Sequence, residues 1–324
     1  MIRVGIVGYG NLGRGVCYAV NNAKDMECVG IFTRRNADSI KPVIDVNVYN
    51  VSELKKFKDK IDVLLLCGGS ATDLPQTTEK YLKDFNTVDS FDTHANIPQY
   101  FSKLDQVAKE NDKVCAISIG WDPGLFSIMR LISSSVLPNG QFCSFWGKGV
   151  SQGHSDAIRR ISGVKNAIQY TIPKEEALSV VRNGEKRELT ARDKHLRECF
   201  VCVEEGADKA IIEREIKNMP NYFADYDTIV HFVSEEELKK NHSKLSHGGV
   251  VVASGKTTEQ NSHAIEFSLK LDSNPEFTGS VLVSYARAVY RLKNKGEKGA
   301  FTVYDIPLKY ISPLGEEELR SSIL

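Results

Sequence analysis

The stretch IRVGIVGYGNLGRG, residues 2–15, joins an apolar run to a glycine-rich turn and the start of a helical pattern. Its glycines have the G-x-G-x-x-G spacing, which permits a tight turn and lets the backbone approach a pyrophosphate held at the helix N-terminus. The strand–turn–helix context favours this interpretation over a plain glycine turn. We therefore predict a dinucleotide-binding turn whose cofactor contacts come from Gly8, Tyr9, Gly10, Asn11, Leu12 and Gly13.

A second strand-like run, MECVGIFTRR, ends at residue 35, where the adenosine ribose of a bound dinucleotide is expected. A carboxylate at this position is typical of NAD sites, because it binds the ribose hydroxyls and repels a 2′-phosphate. The chain instead has Thr33, Arg34 and Arg35. A hydroxyl and two guanidinium groups suit charge-assisted hydrogen bonds to a 2′-phosphate. These residues predict NADP, the alternative being two solvated surface arginines.

The first 120 residues alternate short apolar runs with amphipathic stretches, which predicts an α/β domain built on a Rossmann-type doubly wound parallel sheet. Strand-like runs dominate after residue 121 and indicate a second, α+β domain. We place the dinucleotide-binding domain at 1–120 and the second domain at 121–269. The C-terminal segment, about 270–324, which includes the helical pattern of 276–296, is expected to pack back on the first domain.

Composition excludes several classes of partner and site. Lys plus Arg and Asp plus Glu number 42 each, so no net charge favours nucleic acid or acidic membranes. No segment has the roughly 18 consecutive apolar residues of a membrane span, and the chain runs directly into a strand pattern with no signal peptide. The seven cysteines lie in apolar segments, as expected for reduced thiols of a cytoplasmic protein. Cys199 and Cys202 have the spacing of a metal or redox pair, but no partner motif completes a metal site.

Small residues follow the buried run IDVLLL at the end of a predicted central strand. Such residues let the ribose or nicotinamide end of a cofactor lie close to the backbone. The expected cofactor contacts in this loop are Cys67, Gly68, Ser70 and Ala71.

Acidic residues follow the next two predicted strands. Asp92 comes after NTVDSF, together with His94, and Trp121 and Asp122 come after KVCAISIG. Ligands of open parallel sheets bind at this carboxyl edge, and two carboxylates there suit a substrate ammonium group. The alternative for Asp122 is a helix N-cap ahead of Pro123.

The second domain contains further polar groups suited to a carboxylate or amide ligand. They are the loop at 151–156, which includes Gln152, Gly153 and His154, and the later residues Arg197, His247 and Asn261. Each of them by itself also fits a surface or capping position.

Nine segments, quoted in chain order, together resemble the meso-diaminopimelate dehydrogenase family over nearly the whole chain. They are GYGNLGR, FTRR, LLLCGGSATDLP, SFDTHANIP, GWDPGLFS, FWGKGVSQGHSDAIRRI, QYTIP, HGG and LKLDSNPEFT. The resemblance implies NADP-dependent oxidative deamination of the D-centre of meso-2,6-diaminopimelate. The products are L-2-amino-6-oxopimelate, ammonia and NADPH, in a reversible reaction of lysine and cell-wall precursor synthesis. It also implies a homodimer assembled through the second domain.

The same resemblance implies roles for individual residues. Asp92 and Asp122 are expected to address the reacting amino group, and either could accept its proton, with His154 a weaker candidate. Trp121, Gln152 and Gly153 would border that end of the substrate. The distal amino-acid end would be bound by Thr171, Arg197, His247 and Asn261, although Ser262 could take the place of Asn261.

Two other classes of protein remain open at this point. A semialdehyde dehydrogenase or a dihydrodipicolinate reductase would share the cofactor and the first domain. The former needs a cysteine nucleophile, for which Cys67 and Cys115 are the candidates. A non-catalytic NADP(H) sensor would bind the cofactor but lack a joint carboxylate and arginine substrate pocket.

Overall fold

The apolar run ahead of the glycine-rich turn forms the first strand of a parallel sheet in a computed structural model, which describes residues 1–70 and 72–324. In chain order, the strands are β1 (Ile2–Val7), β2 (Met26–Thr33), β3 (Val48–Asn50), β4 (Val63–Leu66), β5 (Thr87–Asp89), β6 (Val114–Ala116), β7 (Gln141–Trp146), β8 (Gly149–Val150), β9 (Val164–Pro173), β10 (His195–Val203), β11 (Asp227–Phe232), β12 (His247–Lys256), β13 (Ser262–Leu271) and β14 (Gly299–Phe301).

Helices connect most of these strands. They are α1 (Asn11–Asn22), α2 (Leu74–Leu82), α3 (Ile97–Glu110), α4 (Leu125–Val136), α5 (Gln152–Arg159), α6 (Glu175–Arg182), α7 (Ala191–Lys194), α8 (Lys209–Lys217), α9 (Glu235–Asn241), α10 (Asn274–Asn294) and α11 (Glu316–Ser322). Among the residues so described, no helix combines the length and apolar character that crossing a bilayer requires.

The chain divides into two compact units. The first consists of Met1–Ile128 and Pro275–Leu324, and the second of Met129–Asn274. The sequence-based boundaries were 120 and 270. In the first unit a seven-stranded parallel sheet has the order β14-β6-β5-β4-β1-β2-β3. The chain reverses its direction of travel across the sheet between β1 and β4, which is where open parallel sheets bind ligands at their carboxyl edge. The predicted doubly wound α/β fold is confirmed.

Apolar side chains on both faces of this sheet explain why it is parallel and covered by helices. In β4, Val63 and Leu65 pack into one buried cluster, whereas Leu64 and Leu66 pack into the other. A strand that is buried on both faces reads as a continuous apolar run, which is what the sequence has here. The helices between the strands cover the two faces and leave the carboxyl edge to loops.

The C-terminal segment belongs to the first unit, and three of its contacts illustrate this. Strand β14 extends the sheet edge beside β6. Helices α1 and α10 cross closely, since a Cβ added to Gly15 would lie 2.4 Å from the Pro275 carbonyl oxygen. The guanidinium of Arg287 is buried and forms two hydrogen bonds with the Asp25 carboxylate, of 2.6 and 2.7 Å.

The second unit contains two smaller sheets. One has the order β11-β10-β9-β8, in which only the β10–β11 pair is parallel, and the other has the antiparallel order β13-β12-β7. Helices α5 and α8 pack on the first sheet through a core that includes Ile158 and Ile212, and α6 packs on the second. The predicted second α+β domain is therefore present.

Local structure differs from the sequence-based prediction at three places. The run SELKKFKDK at 52–60, whose pattern predicts a helix, forms a 3₁₀ segment over Val51–Phe57. Helix α4 begins at Leu125 rather than near Pro123. Strand β13 was not predicted, because most of its residues are exposed. Along much of the strand, half-buried side chains alternate with exposed ones, so the apolar pattern is weak.

Candidate functional site

The glycine-rich turn has the backbone geometry that a dinucleotide-binding turn requires. Gly8 has φ of +92°, which side chains other than glycine rarely adopt. A Cβ on Gly13 would lie 2.2 Å from the Gly8 carbonyl oxygen, so the turn itself needs this glycine. A Cβ on Gly10, just ahead of α1, would meet no atom of residues 1–70 or 72–324 within 4 Å. Packing within the fold therefore does not require a glycine at position 10. Close approach of a pyrophosphate to the helix N-terminus does require one.

We expect Gly10→Ala to weaken cofactor binding alone and Gly13→Ala to lower stability as well. The first substitution meets open space, so it should leave the melting temperature within about 2 °C of the original, since it adds no clash to the fold. It should weaken NADP binding by on the order of 10-fold, because the added methyl occupies the pyrophosphate side of the turn. Gly13→Ala should lower both stability and binding. Melting curves and NADPH fluorescence titrations on both variants test this, and unchanged affinity in Gly10→Ala would contradict it.

The two arginines after β2 lie beside this turn. Arg34 forms an ion pair with Asp73, with 3.0 Å between Nη2 and Oδ1, and Arg35 donates a hydrogen bond to the Tyr9 carbonyl. The Thr33 hydroxyl accepts a hydrogen bond of 3.1 Å from the backbone N–H of Arg35. A threonine hydroxyl and two guanidinium groups therefore stand at the carboxyl end of β2, next to the glycine-rich turn. The partner of Arg34 was not foreseen from the sequence.

The loop after β4 connects the predicted cofactor residues to a predicted catalytic carboxylate. The Ser70 hydroxyl donates to Oδ1 of Asp92 and accepts from the Asp92 backbone N–H at 2.9 Å. Cys67 and Gly68 lie directly behind the glycine-rich turn, because a Cβ on Gly8 would be 3.1 Å from the Cys67 carbonyl oxygen. Ala71 lies outside the described residues.

The loop after β6 holds the other predicted carboxylate. Trp121 is buried and its ring meets Phe126 edge-on at 5.3 Å between centroids. Asp122 is half-buried, and α4 begins only at Leu125, so Asp122 is not the N-cap of that helix. Strands β5 and β6 are neighbours in the sheet. The loops that carry Asp92 and Asp122 therefore follow adjacent strands at the same edge.

In the second unit, the cationic side chain of Arg197 is buried. Its side chain projects from β10 opposite Thr171 of β9, whose hydroxyl accepts a hydrogen bond from it. Its guanidinium carbon lies 3.9 Å from the centroid of the Tyr226 ring. Its Nε is buried with no hydrogen-bond partner, and no carboxylate pairs with it among residues 1–70 and 72–324. A buried unpaired charge is costly, so this arrangement favours an anionic ligand.

Histidines around Arg197 remain uncharged. Burial, followed by the charge of Arg197, lowers the pKa of His154 to about 4 and that of His195 to about 3. Burial is also the main cause that lowers the pKa of His247. The Nδ1 of His154 lies 2.7 Å from the Ser151 hydroxyl, and Nε2 of His195 accepts a 2.9 Å hydrogen bond from the Trp146 backbone. Near neutral pH the charge of this cluster therefore comes from Arg197.

His195 should make the protein less stable in mild acid. Its pKa is about 3 in the folded chain and roughly 6.5 when unfolded. Between these values the unfolded chain binds a proton that the folded chain excludes, so stability falls as the pH falls from about 6.5. His195→Gln keeps an acceptor for the Trp146 N–H but cannot titrate. We expect a smaller drop in melting temperature between pH 7 and pH 5 in this variant, and an equal drop would contradict the assignment.

Two of the other residues predicted for the second domain, Thr171 and His247, lie beside Arg197. Gln152 and Gly153 are the exposed first residues of α5, and a Cβ on Gly153 would meet nothing within 4 Å. His247 begins β12 and is packed against Gly149, whose Cβ would be 2.5 Å from the His247 Cα. Gly149 in turn pairs with Thr171. The structure therefore brings Thr171, Arg197 and His247 together.

Asn261 does not belong to this cluster, and neither does Ser262. Strand pairing joins Lys256 to Ser262 at one end of the β12–β13 hairpin and His247 to Leu271 at the other. At about 3.4 Å per residue, the two ends are roughly 30 Å apart. Asn274 lies close to the His247 end of the hairpin, where its backbone N–H donates to the Leu245 carbonyl at 2.9 Å. The motif LKLDSNPEFT contained this residue, but its position depends on the hairpin register.

The cysteines proposed as alternative nucleophiles are unsuited to that role. Cys67 and Cys115 are buried, and burial raises the pKa of both thiols well above the usual range. A thiolate is needed for attack, so these environments argue against a semialdehyde dehydrogenase. Cys199 and Cys202 are buried residues of β10, and residues 1–70 and 72–324 contain no group of three His, Cys, Asp or Glu side chains arranged to hold a metal.

Comparison with known proteins identifies the family. The model for the diaminopimelic acid dehydrogenase C-terminal domain matches residues 120–273. The chain is 59% identical over 323 residues to the meso-diaminopimelate D-dehydrogenase of Ureibacillus thermosphaericus, covering 100% of this chain and 99% of that protein. It is 60% identical over 326 residues to the enzyme of that name from Acetivibrio thermocellus, covering 100% and 98%.

Solved structures agree over the whole length. The DAP dehydrogenase of C. glutamicum in complex with DAP has a TM-score of 0.93 at 42% identity, covering 100% of this chain and 99% of that one. An engineered D-amino acid dehydrogenase bound to NADP⁺ has a TM-score of 0.88 at 41% identity, with the same coverage. The chain therefore belongs to the meso-diaminopimelate D-dehydrogenase family.

Proposed function

We propose that the chain catalyses the NADP-dependent oxidative deamination of meso-2,6-diaminopimelate at its D-centre. The substrate, NADP⁺ and water give L-2-amino-6-oxopimelate, ammonium, NADPH and a proton, and the reaction is reversible. The oxo acid cyclises to tetrahydrodipicolinate, which places the reaction in lysine and cell-wall precursor synthesis. Family membership and the DAP complex of the C. glutamicum relative support this assignment.

The observation that carries the proposal is the buried guanidinium of Arg197, which has no carboxylate partner among residues 1–70 and 72–324. Its planar donors match a carboxylate, and Thr171 and His247 stand beside it. Because diaminopimelate has an amino acid at both ends, a specific enzyme must bind one end to present the other. We assign the distal L-amino-acid end to this cluster, with Asn274 in the place first given to Asn261. Missing hydrogen bonds in such a polar pocket can discriminate by roughly 10⁴-fold, enough to select an isomer.

The cofactor site of the first unit fits NADP. The open side of Gly10 leaves room for a pyrophosphate at the start of α1, and Thr33, Arg34 and Arg35 would hold the 2′-phosphate. When bound, the nicotinamide supplies the carbon that accepts a hydride from the substrate. The relative bound to NADP⁺ supports this choice.

Asp92 and Asp122 are the groups that we assign to the reacting amine. The amine must lose a proton before hydride transfer, because an ammonium nitrogen has no lone pair with which to form an imine. Carboxylates in the adjacent β5 and β6 loops can bind the ammonium and accept that proton, directly or through water. Trp121, Gln152 and Gly153 would border this end of the substrate. Water then hydrolyses the imine and releases ammonia.

An isomer assay tests the function directly. NADPH formation at 340 nm is measured with the meso, LL and DD isomers of diaminopimelate, and with NAD⁺ in place of NADP⁺. We expect turnover with the meso isomer and NADP⁺, and little with the LL isomer, which lacks a D-centre. NADP⁺ binding without turnover of the meso isomer would instead indicate a cofactor-sensing protein.

We also propose that the second unit forms a homodimer, in a protein of the cytoplasm. Its surface exposes large apolar side chains, among them Leu131, Val136 and Phe142 at 48, 56 and 45%. Burial of such side chains in an interface is favourable. Light scattering after size exclusion should give twice the chain mass of 36.1 kDa. A monomer at micromolar concentration would overturn the proposal.

A further inference from the structure

Asp89, the last residue of β5, is a buried carboxylate that none of the roles above requires. Its side chain has no solvent exposure, and burial raises its pKa. No cation pairs with it among residues 1–70 and 72–324. Instead it accepts four hydrogen bonds, two on each oxygen. Placing a carboxyl group in an apolar sheet is costly, so its hydrogen bonds must do something that an apolar residue could not.

The two oxygens have different partners. Oδ1 accepts the backbone N–H of Phe91 at 3.0 Å and that of Ser118 at 3.2 Å. Oδ2 accepts the Tyr100 hydroxyl of α3 at 2.7 Å and the Thr78 hydroxyl of α2 at 3.1 Å. Oδ1 therefore connects two loops at the carboxyl edge of the sheet, whereas Oδ2 holds the carboxylate against the helices.

The two loops joined by Oδ1 are those that carry the proposed catalytic carboxylates. Phe91 immediately precedes Asp92, and Ser118 begins the segment that leads to Trp121 and Asp122. Ser118 has φ of +57°, a conformation that is unfavourable for serine unless its surroundings hold it there. The Asp89 carbonyl adds a third link by accepting the Ile119 N–H at 2.9 Å.

We propose that Asp89 is a positioning residue, which sets the distance between the Asp92 and Asp122 loops through the two N–H groups bound to Oδ1. This inference rests on the proposed function. It assigns to Asp89 no contact with substrate or cofactor. Its effect on rate arises because a displacement of about 1 Å in a reacting geometry can cost on the order of 100-fold.

Two conservative variants separate position from charge. Asp89→Asn keeps an acceptor oxygen at the Oδ1 position, and the Tyr100 and Thr78 hydroxyls can rotate to accept from its amide. Asp89→Glu keeps the charge but moves the oxygens by one methylene. We expect kcat in the Asn variant to stay within about 5-fold, and in the Glu variant to fall by 10- to 100-fold. NADP affinity should stay within about 3-fold in both, because the cofactor turn is untouched.

Tyr100→Phe is the matched control, because it removes a partner of Oδ2 only. It should lower the melting temperature but leave kcat within about 2-fold, since both Oδ1 contacts remain. A merely structural Asp89 would make kcat follow stability in all three variants, and this result would overturn the proposal. So would a folded Asp89→Glu variant with kcat near the original.

Amide hydrogen exchange gives a readout independent of turnover. Peptides that contain Phe91 and Ser118 should exchange faster in Asp89→Glu than in Asp89→Asn or Tyr100→Phe. Equal exchange in Asp89→Glu and the original protein would contradict the role of Oδ1. Absence of turnover in the unmodified protein would remove the proposed function while leaving this test intact.

Discussion

Replacing Arg197 by methionine should raise the KM for meso-diaminopimelate by on the order of 100- to 1000-fold, because a charged hydrogen-bonding partner of a buried carboxylate is lost. Methionine fills a similar volume without donors, so the change removes binding and leaves packing against Tyr226 largely in place. NADP affinity should not change, because Arg197 belongs to the second unit and the predicted cofactor residues belong to the first. Steady-state kinetics with the meso isomer and NADPH titration measure the two quantities.

Two further variants control this experiment. Arg197→Lys keeps the charge but loses the planar fork, so its KM should lie between those of the original and the methionine variant. Arg192→Met removes an exposed arginine near the start of β10 and should leave KM unchanged. The methionine variant should also be more stable than the original, because it removes a buried charge that has no anionic partner among residues 1–70 and 72–324. A comparable loss of NADP binding in Arg197→Met would show that Arg197 is misassigned.

Replacing both Arg34 and Arg35 by aspartate should raise the Kd for NADP by on the order of 100-fold or more. Each charge-assisted hydrogen bond to the 2′-phosphate contributes roughly 1.5–3 kcal/mol, and the new carboxylates repel the phosphate. NAD has no such phosphate, and a carboxylate at this place binds ribose hydroxyls. NAD affinity should therefore stay within about 3-fold of the original or improve. Fluorescence titration with NADPH and NADH measures both values.

The controls for this pair follow from its contacts. Arg34 is bound to Asp73 and Arg35 to the Tyr9 carbonyl, so the melting temperature must be recorded to exclude a collapsed turn. Lys41→Asp makes a nearby exposed charge change and should affect the two cofactors equally. If the double variant lost NADP and NAD affinity in the same proportion, the arginines would be supporting the turn and not selecting the phosphate.

Features that depend on residues close together in the chain could be predicted from the amino-acid sequence. The order of strand, glycine turn and helix at Gly8, Gly10 and Gly13 is local, because φ and the length of the turn are properties of a short segment. The two-sided burial of β4 follows from its continuous apolar run. The choice of Thr33, Arg34 and Arg35 over a carboxylate is also local, since the end of β2 lies at a fixed place beside the turn.

Contacts between residues far apart in the chain could be identified only in the folded structure. The structure separates Asn261 from the Arg197 cluster, because a hairpin register follows from strand pairing over the whole length of β12 and β13, and no single residue indicates it. Whether Arg197 has an anionic partner likewise depends on all the residues packed around it, and none of residues 1–70 and 72–324 provides one. Nothing in the sequence distinguishes Asp89 from other residues at the end of a strand. Only in the folded chain do the N–H groups of Phe91 and Ser118 meet one of its oxygens. The chemistry of a side chain is known from the residue type, whereas its burial and its partners depend on contacts between residues far apart in the chain.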